Sequence, residues 1–264
     1  MTIIPRSIIT LTTDFGSRDH YVGTMKGVML SVNESVHPVD ITHCIESHDV
    51  RAASFVIGNS YRYFPKNTVH LVVVDPGVGS RRRPIVLFAD GHFFVGPDNG
   101  VFSSVIRCCE DFSAREIKNR DYFLKETSST FHGRDIFSPI AAHLSLGVSF
   151  SEIGPQIRDP EILPRDGYSV NGTEIRGSIV YTDKFGNLIT SIPTEAVSDG
   201  ARAVVTVGDK QVAGISESYS SVEPGEIVVV GGSGGYIEVS VNQGRAGDVF
   251  GEVPPEVIIV EEGS

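Results

Sequence analysis

Cysteine is scarce in this chain: Cys44, Cys108 and Cys109 are all it has, an odd number without metal-ligand spacing. That argues against a disulfide framework or a zinc site and leaves thiols expected to be buried or inert. Cations are also few, 22 Lys and Arg against 33 Asp and Glu, for a formal charge of −11. Such a chain is poorly suited to neutralising many phosphates or coating an anionic membrane, so neither nucleic acid nor membrane is an expected partner. No stretch approaches the ~20 apolar residues that span a bilayer. The opening segment meets Asp14 before any apolar run takes signal-peptide form, which points to a cytoplasmic protein. What is present is 40% hydrophobic content over 264 residues, enough for one large packed domain or two ordinary ones.

Periodicity separates two textures. Residues 8–13 read as a strand delivering Asp14 at its C-terminal end, followed by a helix in which Val22, Met25, Met29 and Val32 share a face. A second helix is expected from Ser47 as N-cap, with the stripe Val50, Ala53, Ile57, Tyr61, Phe64. Thr68–Val74 is apolar apart from His70, as suits a strand covered on both faces and ending at Asp75. Asp90-Gly91 between two apolar runs signals a hairpin, so the sheet is expected to be mixed. A third helix is placed at Asp135 to Leu146, stopping at Gly147. After Pro164, short β-branched runs alternate with Gly, Asp and Asn, with strands expected near 177–181, 188–192, 203–207, 226–230, 236–241 and 257–260. The expected fold is therefore an α/β N-terminal domain over 1–165, with a Rossmann-like mixed sheet and helices on both faces, followed by an all-β domain over 166–264, a barrel or a sandwich.

Several motifs carry possible chemistry, and each has a plainer structural explanation. Thr13-Asp14-Phe15-Gly16 sets a carboxylate at a strand end, where it can accept hydrogen bonds from a ribose diol or simply cap a turn. Asp75-Pro76-Gly77-Val78-Gly79-Ser80-Arg81-Arg82-Arg83 resembles a phosphate loop but lacks the Gly-Lys-Ser/Thr ending. Thr130-Phe131-His132-Gly133-Arg134-Asp135 places a histidine before a helix whose cap is Asp135 on the plain reading. His20, His43, His48 and His143 raise the thought of a metal with Asp14 and Asp75, but no dense ligand pattern supports it. Tyr181-Thr182-Asp183-Lys184-Phe185-Gly186-Asn187 is a hairpin turn or a purine grip, and Gly231-Gly232-Ser233-Gly234-Gly235 is a flexible turn or a backbone surface for a ligand.

The order of these blocks is what discriminates. LTTDFG, VVDPGVGS with its arginines, FVGPDNG, TFHGRD and YTDKFGN follow one another over nearly the whole chain, which thereby resembles the S-adenosylmethionine hydroxide adenosyltransferase family, relatives of the enzymes that make fluorinated or chlorinated adenosine. The resemblance implies an N-terminal α/β domain joined to a C-terminal β-barrel, in a homotrimer with sites between one subunit's N-domain and its neighbour's C-domain. It implies that S-adenosylmethionine is the substrate, that no further cofactor or metal takes part, and that water cuts the substrate to adenosine and methionine. By the same resemblance Asp14 holds the ribose hydroxyls, Asp183, Phe185 and Asn187 grip methionine and adenine, Ser233 meets the methionine carboxylate end, and Asp75, Arg82 and His132 handle the water. Arg82 is selected from its neighbours because it lies seven residues beyond the aspartate, as in the family pattern.

The halogenating relatives carry a tyrosine at the position of Asp75 and a halide-holding serine at that of Gly133, so both departures point to water as the nucleophile. The alternatives are a halide-using adenosyl transferase, a non-catalytic adenosine or S-adenosylmethionine sensor, and a metal-dependent phosphoesterase built on Asp14, Asp75 and His132. The leaving group is a neutral thioether and needs no general acid. Only the nucleophile needs help, so His132 and Asp75 are expected to orient and deprotonate it while Arg82 stabilises hydroxide character.

Overall fold

The structure, a computed structural model, describes residues 7–251 and 256–261. The chain divides into two compact units, Met1–Leu163 and Pro164–Ser264.

The first unit runs β1 (Ile8–Thr13), α1 (Tyr21–Val32), β2 (His37–Thr42), α2 (Val50–Ser60), β3 (Val69–Val73), β4 (Pro84–Ala89), β5 (His92–Pro97), α3 (Ser103–Cys108), β6 (Phe112–Glu116), α4 (Ser138–Ser145) and β7 (Gln156–Ile157). Its strands form one seven-stranded sheet in the order β2-β1-β3-β5-β4-β6-β7. The ladders joining β2, β1, β3 and β5 are parallel, and those joining β5, β4, β6 and β7 are antiparallel. The mixed sheet follows from two connection types: helices return the chain for parallel pairing, whereas Asp90 and Gly91, at φ 47° and 73°, turn it directly between β4 and β5.

Alternation along β1 and β3 divides the faces. Ile9, Leu11, Val69, Leu71 and Val73 join Met25 and Met29 of α1 and Ile140 and Leu144 of α4 in one buried cluster. His70 points the other way and packs against Tyr61, the residue that follows α2. The N-cap of α2 is Asp49, whose side chain accepts from the Ala52 N–H at 2.9 Å, and not Ser47 as the sequence suggests. His48, at φ 70°, turns the chain just before that cap and so leaves Ser47 outside the helix. The third helix also departs from expectation. Gly133–Phe137 forms a π-helical turn that leads into α4, and Asp135 does not cap it: its carboxylate accepts from the Ser128 N–H and pairs with Arg134.

The second unit runs β8 (Ser169–Asn171), β9 (Glu174–Gly177), β10 (Ile179–Thr182), β11 (Leu188–Pro193), β12 (Ala203–Val207), β13 (Lys210–Ala213), β14 (Ile227–Gly231), β15 (Tyr236–Val241), the short helix α5 (Ala246–Phe250) and β16 (Val257–Glu261). These strands build two antiparallel sheets, β10-β11-β15-β14 and β13-β12-β16-β9-β8. Ile175, Val205 and Ile259 from one sheet and Leu188, Val229 and Val239 from the other share a single core. Among the described residues no ladder closes the two sheets into a barrel. The chain changes sheets at Gly177, where a Cβ would meet Ile192 Cγ1 at 2.5 Å, so the bare backbone allows the close crossing. All three cysteines are free; of the thiols expected to be buried or inert, Cys44 and Cys108 are exposed and Cys109 is half-buried.

Candidate functional site

A cleft of about 310 Å³ opens beyond the C-terminal ends of β1 and β3, lined by both strand-end aspartates and by the segment that starts the π-helical turn. This is where ligands sit in open α/β sheets. Asp14, Asp75, His132 and Gly133 all line it, together with Ser47, His48, Phe15, Tyr21 and Phe131, which motif reasoning left without a role. Phe15 and Phe131 stand inside the motifs quoted above. Nothing local to the sequence marks Tyr21, and the sequence raises His48 only as a metal ligand, not as a residue that holds Asp14 through its backbone. The rings of Phe15, Tyr21 and Phe131 lie 5.3–5.9 Å apart and make an aromatic wall. Asp14 Oδ2 accepts the His48 backbone N–H at 2.9 Å, so the left-handed residue before α2 helps to aim the carboxylate.

At the cleft Asp75, Arg82 and His132 are interlocked. Arg82 Nε donates to both Asp75 oxygens, at 2.9 and 3.0 Å, and its Nη2 also reaches Asp75 Oδ2. The same Nη2 lies 2.7 Å from His132 Nδ1. The glycines explain how an arginine seven residues on folds back over the aspartate. Val78 N–H bonds to the Asp75 carbonyl and Ser80 N–H to that of Gly77, a tight turn in which a Cβ at Gly77 would sit 3.3 Å from Arg82 Cγ. Gly79, at φ 76°, passes so close to the Ser129 carbonyl that a Cβ would lie 2.5 Å from its oxygen. The loop therefore serves to place Arg82, and its Val78 and Ser80 amides are taken up within the turn. Arg83 points elsewhere, to Asp98 and Asp159.

The geometry also assigns protons. Guanidinium groups only donate, so His132 Nδ1 must accept, and the neutral ring carries its hydrogen on Nε2. Burial first, and then the Arg82 charge, hold His132 below the ordinary histidine pKa despite the opposing pull of Asp75 and Asp135. The cluster thus presents a carboxylate with lone pairs beyond those Arg82 engages, and an imidazole that donates. Among the described residues no group of three or more His, Cys, Asp or Glu is arranged to hold a metal ion.

Asp183, Phe185, Asn187 and Ser233 belong to the second unit. Asp183 Oδ1 accepts the N–H groups of Phe185 and Asn187, both at 2.9 Å, and Asn187 Nδ2 donates to Oδ2 at 2.9 Å. This closed turn, with Gly186 at φ 85°, holds Phe185 outward with 71% of its surface exposed. Ser233 is exposed in the turn between β14 and β15. No helix of the described residues is long and apolar enough to cross a membrane.

Residues 9–154 match the SAM hydroxide adenosyltransferase N-terminal domain and residues 177–258 the corresponding C-terminal domain. The chain is 35% identical over 263 residues to the (R)-S-adenosyl-L-methionine hydrolase of Salinispora tropica, covering 98% of this chain and 99% of the relative. It is 29% identical to a fluorinase of Actinoplanes sp., over 70% of this chain and 71% of that one. The crystal structure of an uncharacterized conserved protein from Thermotoga maritima superposes with a TM-score of 0.89 at 38% identity, covering 96% of this chain and all of that one. With both domains matched in order along a fold that carries the strand-end aspartates and an arginine joining Asp75 to His132, the chain belongs to the SAM hydroxide adenosyltransferase family.

Proposed function

We propose that this protein hydrolyses S-adenosyl-L-methionine to adenosine and L-methionine by in-line attack of water on the ribose C5′. The observation that carries the proposal is the interlocked Asp75–Arg82–His132 cluster, of which Asp75 and His132 line the same cleft as Asp14. Relatives that bear the hydrolase name over nearly full length support the same reading. Asp14 takes the ribose diol. Asp183, Phe185, Asn187 and Ser233 close the adenine and methionine end, and Gly133 lacks the hydroxyl by which a serine would hold a halide.

With Arg82 on Nδ1, His132 is an orienting donor through Nε2–H rather than the base. Asp75 is then the acceptor: as the O–C5′ bond forms, the C5′–S electron pair leaves on neutral methionine and the water proton passes to the carboxylate, then to solvent. Arg82 holds both partners in register, a positioning effect that such reactions depend on steeply. No metal or redox group enters this scheme. Phe185 is the argument for assembly: an aromatic side chain gains about 1.5–3 kcal/mol on full burial, so its outward pose suits a neighbouring subunit. We infer a homotrimer whose sites pair one subunit's residues 1–165 with the next subunit's 166–264, the latter completing a barrel-like closure.

Incubation with S-adenosylmethionine in H₂¹⁸O tests the reaction. Adenosine labelled once at the 5′ oxygen, with methionine in equal amount, is expected. Unlabelled adenosine, or halogenated adenosine formed in excess chloride or fluoride, would overturn the choice of nucleophile. Assembly is tested by refolding Asp75→Asn together with Asp183→Ala. Mixed oligomers should regain activity that neither parent shows, and mixed oligomers as inactive as their parents would put each site within one chain.

A further inference from the structure

One histidine near the cleft has no part in the scheme above, yet it is bonded to the turn that carries Asp14. His43, just past the end of β2, has its ring Nδ1 2.9 Å from Thr13 Oγ1, on the last residue of β1. Its Nε2 makes no hydrogen bond of good geometry among the described residues but lies 3.0 Å from Asp40 Oδ1, an ion-pair distance. Asp40 Oδ2 in turn accepts from Lys26 Nζ of α1 at 2.6 Å. Burial pulls the Asp40 carboxyl up, but the Lys26 and His43 contacts outweigh it and hold the carboxyl below its ordinary value, so the group facing Nε2 is an anion.

The roles along this chain are consistent in one direction. An ionised carboxylate only accepts, so in the neutral ring Nε2 carries the hydrogen toward Asp40 and Nδ1 accepts from the Thr13 hydroxyl. Thr13 Oγ1 then receives the Phe15 N–H at 3.3 Å, which closes a turn around Asp14. The His43 carbonyl separately accepts the Gly16 N–H at 2.7 Å. The Asp14-Phe15-Gly16 turn is therefore gripped from both ends by one residue. Thr13 is fully buried and the His43 side chain only 12% exposed, so neither bond competes with bulk water.

We propose that His43 is a positioning residue: held by Asp40 and Lys26, it fixes the Thr13–Gly16 turn and thereby the carboxylate of Asp14, and so sets how strongly the site selects a ribose diol. A metal role for His43 is not needed, because the ring's two nitrogens already face Thr13 and Asp40. The proposal rests on Asp14 being the diol acceptor, as set out above, and the test separates the two ideas.

The readout is competitive inhibition by adenosine and by 2′,3′-dideoxyadenosine, which differ only in the hydroxyls that Asp14 would hold. The intact protein should bind adenosine roughly 10- to 100-fold more tightly, the size expected of hydrogen bonds to a charged group. In His43→Ala, and independently in Thr13→Val should the first variant fold poorly, that ratio should fall to within about threefold. KM should rise about tenfold while kcat stays within about threefold, the pattern of lost binding rather than lost chemistry. His43→Asn, which keeps an acceptor for the Thr13 hydroxyl, should recover most of the ratio. Adding His43→Ala to Asp14→Ala should cost nothing further, since the histidine acts through the carboxylate. Variants that fold and keep the full diol preference, or that lose kcat with the preference intact, would overturn the positioning role. An intact protein without diol preference, or an Asp14→Ala variant that retains it, would overturn the Asp14 assignment itself.

Discussion

In the first unit Asp75 and Arg82 are interlocked with His132, their side chains only 6% and 9% exposed. In the second unit the turn from Asp183 to Asn187 satisfies its own polar groups and holds Phe185 into solvent. One region is preorganised for chemistry. The other presents an apolar ring that its own turn leaves uncovered, which on the proposed reading is preorganised for contact. The two regions obey different energetics, because buried charges must be paired wherever they sit, whereas an aromatic grip gains its energy only when something covers it. The histidines sharpen the contrast, since all eight, from His20 to His143, lie in the first unit.

The largest expected effect breaks the interlocked cluster. Asp75→Asn and His132→Ala should each lower kcat by at least ~100-fold, typical of lost acid–base assistance, with substrate binding retained. Single-turnover kinetics with an independent binding measurement checks this. If His132 donates rather than accepts, Asp75→Asn should be the more damaging of the two, and the reverse order would return the role of base to the histidine.

Acid should distinguish the units next. Thr10, His70 and His92 form a buried chain with contacts of 2.7 and 3.1 Å, and His92 Nε2 has no hydrogen-bond partner. Burial, and then the neighbouring His92, push His70 well below the ordinary histidine value; burial, and then Lys66, bring His92 to about 4. Because both folded values lie below the unfolded value of about 6.5, the unfolded chain binds more protons in between. The stabilisation is thus complete above pH ~6.5 and declines as pH falls toward 4. Hydrogen exchange followed by mass spectrometry should show residues 8–145 losing protection over that window before residues 169–241 do. Equal loss in both units would place the acid sensitivity elsewhere.

Phe185→Ala should raise KM about tenfold, equivalent to about 1.4 kcal/mol, while leaving the thermal midpoint of the isolated subunit unchanged, as expected for an exposed side chain. Unchanged KM would remove the aromatic grip. The smallest effect is expected at Gly133. A Cβ there would lie 3.2–3.4 Å from Phe131 Cε2, Met25 Sδ and Val73 Cγ1, so Gly133→Ala should cost about 1 kcal/mol of stability through overpacking, measurable by urea titration.

The mixed sheet and the strand-end positions of Asp14 and Asp75 were legible because apolar runs and turn residues are local signals. The ends of α2 and the start of α4 were not. Asp49 displaces Ser47 as the cap because His48 takes a left-handed backbone, and the π-helical turn at Gly133 depends on packing around that glycine. Strands β2, β6, β7, β8, β9 and β13 carry no clear signal of their own because they are short or contain polar residues, and pairing with a neighbour rather than their own pattern makes them strands; the run expected at 177–181 is β10, with β9 ending at Gly177 in the other sheet. Barrel or sandwich could not be chosen from strand texture, which does not specify which ladders close; the described ladders form two antiparallel sheets over one core.

By itself, then, the sequence determined which residue types stand at which strand ends, the glycine spacing that lets Arg82 return to Asp75, and the order of motifs that marks the family, all of which are properties of the chain read along its length. Only the tertiary structure decided that Arg82 donates at once to Asp75 and His132, leaving the histidine a donor, and that His43 ties β1 to β2 beneath Asp14. Proton placement depends on which acceptor faces which donor across 30 to 50 residues of chain, and a linear pattern carries no record of that.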